Sequence, residues 1–548
     1  MANNSEGLTN LRSESTSVRG AASPLLSEPW RPKFNPWLIG VVVAMAAFME
    51  VLDTSIANVA LPYMAGSLGA SNDESTWVLT SYLVSNAIVL PISGWFAARL
   101  GRKRFFMICL TVFTLSSLLC GFAPSLAAII FFRVLQGAGG GGLQPMSQAI
   151  LADVFPPKLR GQAFALYGIT TIIAPTIGPT LGGWITDNYS WRWIFFINLP
   201  VGILALFLVF RLVEDPPWAK RAAGAGVKID YIGVALLTLG VGALQVLLDK
   251  GQEDDWFGSH FILTLAVIAG VGLVSLVIWE WFYKIPIIEV RLFKNLNFLG
   301  ANGMMFMLGI MLFSSLVMMP LFLQTLMGYT AESAGLVLSG GGLLLLFEMP
   351  LAGMLASKVQ ARYMIAFGWL MLSLAMYYST QRLDLDISFR FASLLRVVQV
   401  AGLGFLFVPI NLASYVGMPK EKSNHVAGMV NLMRNIGSSI GTSMVTTLIA
   451  RRAQFHQVYL VRHVAPGHPT FTQAVKALAA HLAVSGLDAT RALSQAYGRV
   501  YQALIGQATT LAYIDTFWVL CIGAGIMFLL SFALRRNEPG GGGEIAAG

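Results

Sequence analysis

Apolar residues recur along this chain in runs of about 20, each long enough for an α-helix to cross the ~30 Å hydrocarbon core of a bilayer. Short clusters of Gly, Pro, Asn and charged residues separate the runs. A helix satisfies its own backbone polar groups in lipid, so the pattern predicts an all-α polytopic membrane protein with about fourteen spans. Six are expected near 37–60, 76–98, 104–123, 126–150, 162–185 and 192–212. A middle pair follows at 229–248 and 261–283, then six more near 298–323, 333–356, 362–380, 389–415, 426–450 and 511–534. The stretch 451–510, rich in Ala, Gln and His, is the one long polar segment between spans, with helices expected near 470–482 and 488–508. It is either a passive connector or a docking surface. The first 36 residues are rich in Ser, Asn and Pro without an apolar run, which predicts a disordered tail and no signal peptide.

Two stretches of sequence repeat. Arg133, Gln136, Gly139 and Gly141 of the fourth expected span return at the same mutual spacing as Arg396, Gln399, Gly402 and Gly404 of the twelfth. Gly94, Ala97 and Arg99 at the end of the second match Gly353, Ala356 and Lys358 at the end of the tenth. Both matches lie about 260 residues apart, whereas six spans and a linker need only about 200, and the excess is the size of the middle pair. The predicted architecture is six spans, two inserted, and six more.

Composition removes the soluble alternatives. Hydrophobic residues make up 56% of the chain, charged residues 11%, and the mean hydropathy is +0.67. A water-facing surface normally needs about a quarter charged residues. The net charge of +9 does not mark a nucleic-acid binder, because Lys and Arg sit at the ends of apolar runs rather than on one patch. They gather in alternate connections: Arg99, Arg102, Lys103 and Arg104; Lys158 and Arg160; Arg211, Lys220, Arg221 and Lys228; Lys284, Arg291 and Lys294; Lys358 and Arg362. The short loops between hold only Arg192, Lys250, Arg382 and Arg390, so both termini are expected on the cytoplasmic side. Cys109, Cys120 and Cys521 lie within apolar segments and offer neither a disulfide framework nor metal-ligand spacing.

Ionisable residues inside spans are costly and mark ion or substrate paths. Glu50, Asp53, Thr54 and Asn58 share one sector of the first span; Arg133, Gln136, Gly137, Gly140, Gln144, Ser147 and Gln148 line one face of the fourth. Counting ~1.5 Å per residue puts Asp53 and Arg133 level near the outer third, able to pair. The pair is either a structural ion pair or a proton-coupling site in which Asp53 titrates in response to Arg133 and solvent access. In the second half Glu348 and Arg434 fall level near the inner third, and Asp515 and Arg396 in the outer third. Glu348, between Gly342 and Pro350, is a second candidate for proton or substrate-cation binding. Glu50, Asn58, Gln136, Gln144, Glu348, Arg434 and Asp515 are the expected lining of a substrate cavity. The run Gly137-Ala-Gly139-Gly-Gly-Gly142 satisfies the dinucleotide pattern literally, but inside a span it predicts close helix packing. No phosphate-loop motif is present, and the histidines show no paired metal spacing.

Taken together these residues resemble the fourteen-span drug:proton antiporters of the major facilitator superfamily, the EmrB/QacA group. Leu52-Asp53-Thr54-Ser55-Ile56-Ala57-Asn58-Val59-Ala60-Leu61-Pro62 is similar to that group's first-span signature. Gly94 to Lys103, with Gly94, Arg99, Gly101 and Arg102, resembles the superfamily's loop motif between spans 2 and 3. Arg133-x-x-Gln136-Gly137 resembles the span 4 motif, which implies a role in proton coupling. Ala174-Pro175-Thr-Ile-Gly178-Pro179-Thr-Leu-Gly182-Gly183 resembles the antiporter motif of span 5, whose glycines allow close approach and whose prolines allow a kink. Trp191 to Phe195 with Asn198-Leu-Pro200-Val-Gly202, then Gly328-Tyr329-Thr330 and Arg434-Asn435-Ile-Gly437-Ser-Ser-Ile-Gly441, extend the likeness over nearly the whole chain. Ala98 stands where the loop motif usually has Asp, so that position's gating ion pair does not carry over.

The resemblance implies a major facilitator fold: a tail at 1–36, a six-helix bundle at 37–212, a linker with two inserted helices at 213–290, a second bundle at 291–534 and a tail at 535–548. It implies a proton-driven exporter of hydrophobic or amphipathic compounds in a bacterial inner membrane, with the proton gradient and no cofactor, surrounded by membrane lipids. The segment at 451–510 resembles EmrB-type pumps, which implies a periplasmic adaptor (a membrane fusion protein) and through it an outer-membrane channel. An exporter of one specific metabolite, siderophore or fatty acid is the alternative. A membrane enzyme or sensor fits less well, since no clustered nucleophile or metal set and no output domain is present.

Overall fold

The computed structural model describes residues 32–216, 230–284, 286–419, 422–462, 464, 468–484 and 488–536. Nearly all of the two expected tails, and Lys220, Arg221 and Lys228, lie outside these residues. The described chain contains helices and no strand. The long helices, numbered here in chain order, are α1 (Pro36–Leu68), α2 (Trp77–Leu100), α3 (Arg102–Gly121), α4 (Leu126–Val154), α5 (Arg160–Asn188), α6 (Asn198–Leu212), α7 (Tyr231–Lys250) and α8 (His260–Phe282). Then come α9 (Leu296–Thr325), α10 (Ala331–Leu355), α11 (Ala361–Arg382), α12 in two pieces (Phe389–Val400 and Gly404–Ser414), α13 (Ser423–Val461) and α14 (Ala489–Ser531). Twelve of the described helices are long and apolar enough to cross a membrane. The twelve leave out α11 and α13, which have spanning length but carry more polar residues; α13 alone bears Asn431, Arg434, Asn435, Ser438, Ser439 and Ser443.

Several boundaries differ from the sequence expectation: α13 runs on to Val461, eleven residues past the expected end at 450, and three others differ for a local reason. Pro62 does not end α1, which runs on to a left-handed cap at Gly69 (φ +64°). The single expected span at 389–415 breaks at Ala401–Leu403, where Gly402 takes φ +101°. Finally, the expected helices at 488–508 and 511–534 are one 43-residue helix, since no proline interrupts 489–531. At 1.5 Å per residue, α13 (39 residues) and α14 are about 60 Å long, twice the thickness of a bilayer core. Pro469–Val484 packs on the start of α14 through Val475, Leu482, Ala492 and Ala496.

The packing repeats itself. α1 packs on α5, α2 and α3 on α4, and α3 on α6; eight helices later α9 packs on α13, α10 and α11 on α12, and α11 on α14. Between the two sets α2 meets α13, and its counterpart α10 meets α5. Small residues set these approaches. On α4, added Cβ atoms at Gly137 and Gly141 would lie 2.4 Å from Tyr82 O and 2.7 Å from Asn86 O, which brings α2 against α4. Gly161 of α5 and Gly353 of α10 meet backbone to backbone: a Cβ on either would lie 2.7–2.9 Å from the other's carbonyl oxygen. The α7–α8 hairpin lies beside α2 and α13, where Ser439 Oγ donates to Gln245 Oε1 (3.0 Å) and Trp256 Nε1 donates to Thr447 Oγ1 (3.1 Å). Val267, Val271, Val274 and Ile278 of α8 are exposed, an apolar face that fits lipid.

The contact between Gly161 and Gly353 leaves no room for a side chain. Gly353→Val is expected to force α5 and α10 apart and to cost about 1–3 kcal/mol, read as earlier thermal unfolding of the purified protein in detergent; Ala352→Val, on the same helix, serves as a buried comparison for side-chain bulk alone.

Candidate functional site

The polar residues of the first set of helices form two linked networks. In the first, Arg133 and Asp53 are both buried (0% and 2% exposed). Arg133 Nη1 donates to Asp53 Oδ2 at 2.5 Å and to Gln136 Oε1 at 2.9 Å, and its Nε donates to Val78 O at 3.0 Å. Asp53 Oδ1 accepts from Gln136 Nε2 (3.0 Å) and Asn198 Nδ2 (2.6 Å), and Asn198 also reaches Ser117 Oγ (3.0 Å). The guanidinium stacks over the Tyr82 ring at 4.5 Å. Four helices, α1, α2, α4 and α6, thus converge on one ion pair, and the level placement of Asp53 and Arg133 is realised as contact.

The second network lies one turn along α1 and crosses between the helix sets. Glu50 Oε1 accepts from Tyr82 Oη (3.0 Å) and Asn86 Nδ2 (2.9 Å), and Glu50 Oε2 accepts from Gln144 Nε2 at 2.5 Å. Gln144 Oε1 accepts in turn from Tyr167 Oη (3.1 Å) and from Arg434 Nη2 of α13. Beside it, Asn431 Nδ2 donates to Gln148 Oε1 (2.8 Å), and Asn431 Oδ1 is a second acceptor, 3.3 Å away, for the one Tyr167 hydroxyl proton. Tyr82 joins the two networks, with its hydroxyl on Glu50 and its ring under Arg133.

Other expected residues lie elsewhere. Neither level pair of the second half meets: Arg434 turns to Gln144, and Glu348 Oε1 accepts the backbone N–H of Gly402 (2.7 Å) and Gly404 (3.1 Å). Glu348 therefore caps the break in α12. Asp515 accepts from Arg452 Nε (2.6 Å) and lies 2.7 Å from His456 Nε2, half-exposed at the far end of α13, while buried Arg396 donates to Ser315 Oγ (3.2 Å). Asn58 is exposed and belongs to neither network.

At the end of the bundle where α1 begins, Arg102 pairs with Asp153 of α4 and donates to Ser423 Oγ of α13 (2.9 Å). Asp153 thus supplies a carboxylate where Ala98 has none. Gly101 (φ +85°) turns the loop, and Lys103 N donates to Asp215 Oδ1 (2.9 Å). A Cβ on Gly94 would touch the Asn424 backbone at 3.3 Å, and Arg99 lies over the Trp95 ring. On α5, Ser55 Oγ donates to Pro175 O (3.1 Å), and Cβ atoms on Gly178 and Gly182 would meet Ser55 and Ile56 of α1. Pro179 continues the same helix. Gly183 differs from its expected role, with open space where a Cβ would point.

Sequence reasoning missed Asn198, Tyr82, Asn86, Tyr167, Asn431 and Asp153. The available signal was an amide or hydroxyl inside an apolar run, above all Tyr82 and Asn86 one helical turn apart; which carboxylate each would serve depended on packing.

Residues 43–442 match the sequence profile described as Major Facilitator Superfamily. The chain is 36% identical over 497 residues to the multidrug export protein EmrB of Haemophilus influenzae, which covers 90% of this chain and 95% of that protein. It is 40% identical over 437 residues to the probable multidrug resistance protein EmrY of Escherichia coli strain K12, covering 79% and 84%. Among solved structures, the proton:xylose symporter XylE aligns over 93% of this chain and 97% of its own with a TM-score of 0.58 at 14% identity, a likeness of fold alone.

Removing one member of a buried ion pair strands the other charge, a loss of about 3–5 kcal/mol, whereas removing both costs far less. Arg133→Gln is expected to unfold well below the wild type and Asp53→Asn/Arg133→Gln to recover most of that loss. A thermal double-mutant cycle in detergent measures it; additive effects of the two substitutions would remove the ion pair from the account.

Proposed function

The chain belongs to the major facilitator superfamily, and on that premise we propose that it is a proton-coupled multidrug efflux transporter of a bacterial inner membrane, driven by the proton gradient without a cofactor. The observation that carries this reading is Asp53, a carboxylate buried at a convergence of four helices with Arg133 as its partner. A charge so placed is costly unless it does work, and exchanging its proton changes the local charge balance. Protonating Asp53 leaves Arg133 unmatched, and the cheapest relief is a rearrangement of α1 against α4 that admits water or a new partner. The named export function of the relatives supports hydrophobic and amphipathic drugs as cargo.

In this reading fourteen helices cross the membrane as six, two inserted and six, with bundles at 37–212 and 291–534, and α11 and α13 are spans despite their polarity. Both termini are cytoplasmic, as the distribution of Lys and Arg favours. The ties Arg102–Ser423, Gly161–Gly353 and Gln144–Arg434 then close the cytoplasmic side, and α5 with its Pro175 and Pro179 is the element along which the halves rock. The extended ends of α13 and α14, with Pro469–Val484, project on the outer side and are the surface for a periplasmic adaptor and, through it, an outer-membrane channel.

Dye export by proteoliposomes under an imposed pH gradient tests the coupling. Wild type is expected to export against a dye gradient, and Asp53→Asn to lose pH-driven export by about tenfold or more while still binding dye. Export by the wild type that ignores the pH gradient would overturn proton coupling.

A further inference from the structure

Glu50 and Arg434 are opposite charges on α1 and α13, and one amide stands between them. Gln144 gives its N–H to Glu50 and its oxygen to Arg434, so its orientation is fixed by the carboxylate on one side and the guanidinium on the other. Arg434 forms no direct ion pair with an acidic side chain among the described residues. Glu50 is buried (3% exposed) and accepts three hydrogen bonds with no cation in direct contact.

We propose that Glu50 is a second proton-carrying carboxylate and that Gln144 is the positioning residue that reports its charge to Arg434, so that protonating Glu50 releases the Gln144–Arg434 tie. This is one of the two polar ties between α4 and α13 on the closed side of the bundle, and its release leaves Gln148–Asn431 as the other. This rests on the proton-coupled reading above and deepens it. Charged Glu50 is an acceptor only, and it holds the Gln144 N–H toward itself. A proton arriving on Oε2 makes that oxygen a donor, for which the Gln144 carbonyl is the partner within reach. Turning the amide to accept it presents an N–H to the Arg434 guanidinium, which has no acceptor lone pair, and the tie is lost. Only an O–H bond forms, and it breaks again when the proton leaves.

The direction suits an antiporter. A proton taken up from outside opens the cytoplasmic seam, leaves to the cytoplasm, and restores the tie. The charged or titratable groups facing the relay are Asp53 on α1, Tyr82 on α2, Arg133 on α4 through the Tyr82 ring, Tyr167 on α5 and Arg434 on α13. Of these, Asp53 already has Arg133 as its partner, whereas Glu50 has only neutral donors.

The test is the accessibility of Ala427→Cys, buried one turn before Asn431 on α13, in the full-length protein with Cys109, Cys120 and Cys521 replaced by serine. Maleimide labelling rates are normalised to exposed Lys158→Cys, which cancels the thiol's own pH dependence. With Glu50 present, labelling is expected to rise about tenfold from pH 8 to pH 5.5; with Glu50→Gln it is expected to be high at both, and with Gln144→Leu high regardless of residue 50. Hydrogen exchange of residues 423–434 in the wild type and in Glu50→Gln makes the same comparison if the cysteine-free background does not fold. A Glu50→Gln variant that keeps the wild-type pH profile overturns the relay while leaving pH-driven export intact. Absence of pH-driven export in the wild type instead removes the transport reading, and the relay with it.

Discussion

A guanidinium buried away from water dictates much of the first bundle. Arg133 carries a fixed positive charge that must be balanced in a low-dielectric interior, and its Nε and Nη1 find acceptors while Nη2 has none among the described residues. Asp53 must therefore come from α1, a carbonyl from the start of α2 and an aromatic face from Tyr82, and Asn198 at the start of α6 must hold the second carboxylate oxygen. Four helices are fixed in register by one side chain. Lipid gives helices no hydrophobic reason to associate, so this requirement, with close packing, takes over the role that apolar burial has in water.

Close packing supplies the complementary constraint. The glycines of α4 let α2 approach until Tyr82 and Asn86 reach Glu50, and the same approach sets the Tyr82 ring under Arg133. Between the bundles, Gly161 against Gly353 and Gly94 against Asn424 make contacts that have few bulky side chains to disengage. Beside these close contacts the seam also carries the stacked rings Phe164–Tyr415 and Tyr167–Phe407 and the directional polar tie Gln144–Arg434.

How much of this was legible beforehand follows from physical range. Helix positions follow from apolar length, a local property, and the expected segments agree with the helices to within a few residues except where a proline was tolerated in α1, a carboxylate took the backbone N–H groups of α12, α13 runs on to Val461 and the last two expected helices are one. Asp53 and Arg133 were found because depth in a bilayer is countable along a helix. The same arithmetic set Glu348 level with Arg434 and Asp515 level with Arg396, yet neither pair meets, because depth fixes one coordinate and helix rotation fixes the others. Asn198 and Tyr82 were missed for a related reason: a neutral polar residue gains meaning only from the charge it touches.

The repeat makes the imbalance between the halves informative. Arg133 and Gln136 correspond to Arg396 and Gln399, and the partners correspond as well. Ser315, which accepts from Arg396, stands about 262 positions after Asp53, and Ser379, which accepts from Gln399, stands the same distance after Ser117 of the Asn198 cluster. The scaffold of the site is therefore duplicated while its carboxylate is not: the second half keeps a buried arginine but offers it a hydroxyl. A carboxyl group has a neutral and an ionised form in water, whereas a serine hydroxyl stays neutral. The duplicated geometry thus pairs a buried arginine with a carboxylate in one half and with a hydroxyl in the other. In the proton-coupled reading proposed above, that asymmetry would let a single proton favour one arrangement of two nearly equivalent halves over the other.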